Sequence, residues 1–356
     1  MTGSGKGKVR VLVVDDSAVN RRAITTRLTA SGEVDVVGRA ADGNEALRLA
    51  YELKPDVITL DLEMPGMDGF SFLRLLMASR PAPVIVVSSY GQKENVFRAL
   101  ELGAVDFVAQ PDAAAAADVE EMLAGLLQKV LLLRDEARRV KVRPSVLPPA
   151  SPRRAMPTLT DAPRLAPRTL IAIVASTGGP SALSEVFTRL SAKNTYAVLV
   201  AQHMPERFTR TFAERLNKKS VLRVSEAQEG DIVVAQSAFV CPGRQCMEVE
   251  LAPGGQLRIR LKPPSPEDRY APSGNRLLAS AARALRSRTI GVILTGMGDD
   301  GTDGARVIIE NGGVVIAESE ETAVIYGMPG SASRAGVVTR SVPLHQIVDH
   351  LDELIG

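Results

Sequence analysis

Tryptophan is absent from this sequence, histidine occurs three times (His203, His345 and His350), and cysteine twice (Cys241 and Cys246). So few histidines exclude a histidine-rich zinc site and leave three candidates for any histidine-dependent catalysis. Two cysteines in 356 residues exclude a disulfide scaffold and fit a reducing, cytoplasmic setting. No apolar run reaches the ~18 residues of a membrane span. The opening M-T-G-S-G-K-G-K has no apolar stretch of the kind a secretory signal carries, so no membrane insertion is expected. A charge excess of either sign is missing too: 43 basic less 41 acidic residues gives +2, which argues against a general binder of nucleic acid. No repeat of 20–50 residues is visible, which excludes a solenoid or propeller. What is present is an ordinary globular composition, 45% hydrophobic and 24% charged, over a length suited to about two domains.

The charge is unevenly spread. Residues 1–133 hold 14 basic and 18 acidic side chains (net −4), 134–168 hold 9 and 3 (net +6), and 169–356 hold 20 and 20. The middle stretch also carries seven of the 22 prolines, between Pro144 and Pro167, and no periodic apolar pattern. A Pro-rich basic linker over 134–168 is therefore expected, joining domains at 1–133 and 169–356.

In the first domain, V-R-V-L-V-V (9–14), V-D-V-V-G (34–38), D-V-I-T-L (56–60), P-V-I-V-V (83–87) and V-D-F-V-A (105–109) read as buried strands alternating with helices. That alternation predicts a five-stranded parallel sheet covered on both faces. In the second, T-L-I-A-I-V-A (169–175), A-V-L-V-A (197–201), T-I-G-V-I-L (289–294) and G-V-V-I-A (313–317) read the same way. Residues 237–261 alternate around Pro-Gly and Gly-Gly turns, so a doubly wound α/β sheet with an antiparallel hairpin insertion is expected.

Ligands of open parallel sheets sit at the carboxyl ends of the strands. In the first domain Asp15 and Asp16 end one strand and Asp61 another. Three carboxylates converging there repel one another, and Mg²⁺ is the natural cation to lie between them. A carboxylate in that setting can accept a phosphoryl group, and Ser88 ends a neighbouring strand within reach of it. Single aspartates at strand ends are ordinary turn chemistry; it is the joint pattern that points to a site.

In the second domain Ser176 follows a strand and precedes T-G-G-P, whose glycines permit a tight turn and whose helix N-terminus offers free N–H groups to an oxyanion. Taken alone this also suits an N-cap or a phosphate cradle. His203 ends the strand of A-V-L-V-A-Q-H-M-P, and Asp300 follows another in T-G-M-G-D-D-G. That Gly-rich loop equally suits phosphate or metal, but three strand ends offering Ser, His and Asp at one edge favour a hydrolytic triad. A nucleotide-phosphate site is the weaker alternative, since neither G-x-G-x-x-G nor a P-loop lysine is present.

Two resemblances sharpen these readings. Residues 9–127 resemble the receiver domain of bacterial response regulators, a flavodoxin-like fold, through V-L-V-V-D-D-S, L-D-L-E-M-P-G-M-D-G, V-V-S-S and G-A-V-D-F-V-A-Q-P. The resemblance implies Asp61 as phospho-acceptor, a histidine kinase as phosphodonor, Mg²⁺ held by Asp16, Asp61 and the Glu63 carbonyl with Asp15 in support, and Ser88 and Phe107 as switch residues. One departure is Gln110-Pro111, where the family has Lys-Pro; phosphorylation is expected to couple weakly to the switch as a result. Residues 169–354 are similar to the catalytic domain of the chemotaxis protein-glutamate methylesterases, the CheB family, through A-S-T-G-G, A-Q-H-M-P-E-R-F-T, L-T-G-M-G-D-D-G and A-E-S-E-E-T-A-V-I-Y-G-M-P.

That second resemblance implies Ser176 as nucleophile, His203 as general base and Asp300, rather than Asp299, as its orienting carboxylate, with Met297 and Thr177 serving the oxyanion. The implied substrates are methylated glutamates of chemoreceptors, with glutamine deamidation as a side reaction, and the esterase itself needs no cofactor. Arg207, Arg210 and Arg215 are candidates for a groove that takes an acidic receptor helix. The receiver is expected to block the site until phosphorylated. Here too there are departures. The family usually has Gly where Val174 stands, so crowding behind the nucleophile is expected. Its P-S-V-D reads P-S-G-N here (Pro272 to Asn275), a change expected to touch substrate specificity more than chemistry. A receptor-binding adaptor without turnover, or an esterase independent of phosphorylation, are the rival readings. Cys241 and Cys246 are expected to be plain core residues.

Overall fold

Strand β1 (Val9–Val14) is buried at every position but Arg10, as an interior parallel strand must be. It begins a unit in which β2 (Val34–Ala40), β3 (Val57–Leu60), β4 (Val84–Ser89) and β5 (Asp106–Gln110) alternate with α1 (Ala18–Ala30), α2 (Gly43–Leu53), α3 (Gly69–Ser79), α4 (Lys93–Glu101) and α5 (Ala116–Glu136). All neighbours pair in parallel, in the order β2-β1-β3-β4-β5. The computed structural model describes residues 7–110, 116–136, 165–193 and 195–355. The chain divides into two units, Met1–Val146 and Leu147–Gly356. Most of the stretch expected as a linker, residues 137–164, lies outside the described residues, as does Pro111.

The second unit contains β6 (Thr169–Ala175), α6 (Gly179–Arg189), β7 (Tyr196–Gln202), α7 (Glu206–Lys219), β8 (Arg223–Glu226), β9 (Ile232–Val233), β10 (Ser237–Val240), β11 (Cys246–Leu251), β12 (Leu257–Lys262), α8 (Gly274–Leu285), β13 (Thr289–Ile293), α9 (Thr302–Glu310), β14 (Val314–Glu318), α10 (Met328–Arg334), β15 (Arg340–Val342) and α11 (Ile347–Ile355). Seven strands form one parallel sheet in the order β15-β14-β13-β6-β7-β10-β8, and β11-β12-β9 form a small antiparallel sheet. The antiparallel insertion is thus present but shorter than expected. Ser237–Val240 is buried at all four positions and joins the parallel sheet between β7 and β8, so only β11 and β12 make the hairpin. Continuous burial marks an interior strand, and the turn-rich flanks of this segment hid it. The short edge strands β8 and β15 carry too little apolar pattern to be read from sequence. Val174, Leu199, Leu277, Leu278, Ile293 and Ile308 share one core cluster around the sheet. Cys241 and Cys246 are both free and buried, as expected of core residues.

In each sheet the strand order reverses beside the first strand: between β1 and β3, and between β6 and β13. Such switch points open a crevice at the carboxyl edge where the two flanking loops diverge.

Candidate active site and acidic centre

The switch point of the first unit collects Asp15 and Asp16 from the end of β1 and Asp61 from the end of β3. One carboxylate oxygen of each lies within 4.8 Å of the others. Burial, with the neighbouring carboxylates adding to it, pushes Asp15 and Asp61 up to about 6 each. Two N–H groups partly offset this: Ser17 N–H donates to Asp15 Oδ1 at 2.8 Å and Glu63 N–H to Asp61 Oδ1 at 3.2 Å. Three hard oxygen donors whose ionised forms destabilise one another fit a small divalent cation. Ser88, buried at the end of β4, donates its hydroxyl hydrogen to Gln92 Oε1 at 2.7 Å. Phe107 is buried on β5 in an edge contact with Phe97, their centroids 6.5 Å apart. Gln110 ends β5 opposite Ser89. Lys129, on α5, is committed to an ion pair with Asp106.

The switch point of the second unit brings Ser176, His203 and Asp300 to one edge, one residue past β6, one past β7 and in the loop after β13. His203 N–H donates to Ala175 C=O at 3.0 Å and Ser176 N–H to Thr295 C=O at 3.0 Å, so Ser176 is flanked by both other loops. The buried Gln202 amide ties the pair from below, donating to Ser176 C=O at 2.9 Å and His203 C=O at 3.0 Å. Gly178 has φ 80°, and a Cβ there would stand 2.8 Å from Val324 Cβ, so the turn after Ser176 requires glycine.

Asp300 is fully buried and accepts four bonds. His203 Nε2 lies 2.8 Å from Oδ2, Gly274 N–H donates to the same oxygen at 2.6 Å, and Asn275 and Gly301 N–H donate to Oδ1 at 2.9 and 3.0 Å. Gly274 and Asn275 open α8, whose free N–H groups and dipole favour a carboxylate. A carboxylate receiving three N–H bonds is an acceptor, so His203 presents Nε2–H to it and keeps its lone pair on Nδ1. No hydrogen bond joins Ser176 Oγ to His203. Asp299 points elsewhere, to Tyr270 Oη and Arg269 at 3.0 Å each. The Thr177 N–H makes no hydrogen bond to a described residue and lies just past the Ser176 turn, while Met297 lies in the loop that carries Asp300. Of the arginines on α7, Arg210 pairs with Glu226 at 3.3 Å.

One expectation needs correction. Val174 does not crowd the turn. It is fully buried, and its side chain occupies the space that Gly274 leaves: a Cβ at 274 would stand 2.6 Å from Val174 Cγ1. The P-S-G-N segment stands beside Asp300, to which the main-chain N–H groups of Gly274 and Asn275 donate. Sequence reasoning missed the residues behind Ser176. Thr295 donates its hydroxyl to Thr177 C=O at 2.9 Å and its N–H to Glu318 at 2.8 Å, and burial pushes the Glu318 carboxyl up to about 7. A buried Thr and Glu next to a Gly-rich loop carry no spacing signal, and only the fold shows their contacts.

A receiver unit with a converging acidic edge, followed by a doubly wound unit carrying Ser, His and Asp at its switch point, defines a response regulator with a hydrolase-type output domain. A family model for the CheB methylesterase domain matches residues 171–351 and one for the response regulator receiver domain matches residues 11–119. Protein-glutamate methylesterase/protein-glutamine glutaminase 1 of Myxococcus xanthus is 46% identical over 344 residues, covering 97% of this chain and 96% of that protein. The protein-glutamate methylesterase/protein-glutamine glutaminase of Pyrococcus abyssi is 39% identical over 342 residues, covering 96% and 92%. The solved catalytic domain of the Thermotoga maritima CheB methylesterase is 36% identical with a TM-score of 0.51, covering 52% of this chain and 98% of that one. The chain belongs to the CheB family of protein-glutamate methylesterases. No helix among the described residues is long and apolar enough to cross a membrane.

Proposed function

We propose that this protein hydrolyses glutamyl methyl esters on chemoreceptors, deamidates receptor glutamines at the same site, and is regulated through its receiver domain. The observation that carries the reading is the His203 Nε2 contact with the fully buried Asp300 at 2.8 Å, at the strand edge that also holds Ser176. Ser176 Oγ attacks the ester carbonyl while His203 takes its proton. Asp300 holds the ring by Nε2 and stabilises the imidazolium. The N–H groups of Thr177 and Met297 bind the oxyanion. His203 returns the proton to the leaving methoxide, methanol departs, and water activated by His203 releases the carboxylate. With a glutamine, ammonia leaves instead and the same acyl-enzyme follows.

In the receiver, Asp61 accepts a phosphoryl group from a histidine kinase, and Ser88 and Phe107 carry the switch. Asp15, Asp16, Asp61 and the Glu63 carbonyl would hold Mg²⁺, whose charge offsets the carboxylates and the incoming phosphoryl group. The cytoplasm, where receptor signalling helices and kinase are both within reach, is the proposed location.

The experiment is methanol release from methylated receptor membranes. The full-length chain with a small phosphodonor, and residues 169–356 without one, are expected to release methanol, Ser176→Ala to release none, and Asp300→Asn to lose roughly 10³- to 10⁴-fold in kcat. Receptor binding without methanol release by any form would refute the esterase.

A further inference from the structure

Tyr270 lies between the antiparallel sheet and α8, and its ring stacks on that of His203, with centroids 5.1 Å apart and planes 9° apart. Its hydroxyl donates to Asp299 Oδ1 at 3.0 Å, while Arg269 donates to Asp299 Oδ2 at 3.0 Å. The loop before Asp299 makes room for it: Gly298 has φ 87°, and a Cβ there would stand 2.2 Å from Tyr270 Oη. The segment carrying Tyr270 is pinned from the other side. Asp268 accepts from Ser265 N–H and Oγ and from Arg276 Nη1 at 2.9 Å, and Arg276 Nε donates to Glu248 on β11 at 2.7 Å. Tyr270 is thus fixed at both ends by partners other than His203.

The imidazole is held less completely. Its one hydrogen bond among the described residues is the Nε2 contact with Asp300. A bond at a single ring nitrogen fixes a distance but leaves the ring free to tilt about it. A parallel aromatic face removes that freedom. The same face meets the positive charge that His203 acquires when it takes a proton. The adjacent acids Asp299 and Asp300 therefore divide the work: Asp300 holds the edge of the ring directly, and Asp299 holds the tyrosine that covers its face.

We infer that Tyr270 is a positioning residue of this site, a fixed platform that keeps the His203 ring in the plane from which Nδ1 meets the reacting proton. The inference rests on the esterase reading above. In the full-length protein Tyr270→Ala is expected to lower kcat for methanol release roughly 10- to 100-fold while KM moves by less than about twofold. Tyr270→Phe keeps the ring and drops the bond to Asp299, and is expected to restore most of that rate. In ¹⁵N-labelled protein the His203 Nε2–H resonance is expected to stay sharp in the wild type and Tyr270→Phe and to broaden in Tyr270→Ala. A kcat for Tyr270→Ala within about twofold of wild type, a loss confined to KM, or a Phe variant as impaired as the Ala variant would each overturn the inference. If the wild type releases no methanol, the esterase reading fails, and the imidazole resonance decides the positioning role alone: an unchanged line width in Tyr270→Ala sinks it.

Discussion

Val174 and Gly274 pack as a pair, and the pair can be taken apart. Val174 is fully buried on β6, two residues before Ser176, and a Cβ at Gly274 would stand 2.6 Å from its Cγ1, 3.0 Å from its Cβ and 3.1 Å from Asp300 Oδ2. Val174→Gly removes three buried carbons at about 0.8 kcal/mol each and adds ~0.5–1 kcal/mol for glycine in a strand, about 3 kcal/mol together. Gly274→Val over-packs a filled site at a cost of about 2 kcal/mol. Independent effects would sum to about 5 kcal/mol. In the double variant the new valine side chain enters the space the old one left, so a loss of only about 1–2 kcal/mol is expected, a coupling of about 3 kcal/mol. The assay is urea unfolding of the full-length chain followed by circular dichroism, with added Mg²⁺ shifting the receiver transition and so identifying the other. Methanol release should follow the same pattern: poor for Gly274→Val, whose added carbon disturbs the N–H groups on Asp300, and recovered in the double variant. A double variant no more stable than Gly274→Val, or two effects that add within about 0.5 kcal/mol, would refute the reasoning.

Glu318 takes up a proton on folding, because burial raises it from 4.5 to about 7. The folded protein holds that proton where the unfolded chain releases it, so stability should fall as pH rises from about 4.5 to 7, by on the order of 3 kcal/mol, and level off above. Glu318→Gln should flatten that slope in thermal melts from pH 5 to 8, and an unchanged slope would assign the effect to other groups. Asp15 and Asp61, both raised to about 6, should let protons compete with Mg²⁺. Calorimetric affinity should therefore drop roughly 10- to 100-fold from pH 7.5 to 5, and a pH-independent affinity would place the ion elsewhere. Gln110 brings no charge to the phosphoryl group, and a unit charge at 4 Å is worth about 4 kcal/mol at an effective dielectric of ~20. Gln110→Lys should accordingly enlarge the rise in methanol release caused by a small phosphodonor, and an equal rise in both proteins would show that Gln110 has not weakened the switch.

Much of this protein is legible one residue at a time. Short Val- and Ile-rich runs such as V-R-V-L-V-V and T-L-I-A-I-V-A, alternating with longer helical stretches, fit a covered parallel sheet, so the strands, their alternation with helices and the carboxyl edge follow from local pattern. Asp15, Asp61, Ser176 and His203 stand out for the same reason, since each lies just past the end of such a run, whereas Asp300 lies further on, in the Gly-rich loop after β13. Strand order is different. Whether S-A-F-V pairs in a hairpin or slots beside β7 depends on what buries it, and that is a long-range fact. The preference for Asp300 over Asp299 rests on a motif, and what supports it is tertiary: three N–H groups from α8 and the loop converge on one carboxylate, while its neighbour turns out to Tyr270 and Arg269. Val174 and Gly274 make the same point. Separately each is only a departure from the family pattern, because a sequence presents residues a hundred positions apart as independent. Packing makes them one feature, since two side chains cannot occupy the same volume and only the fold brings those positions together.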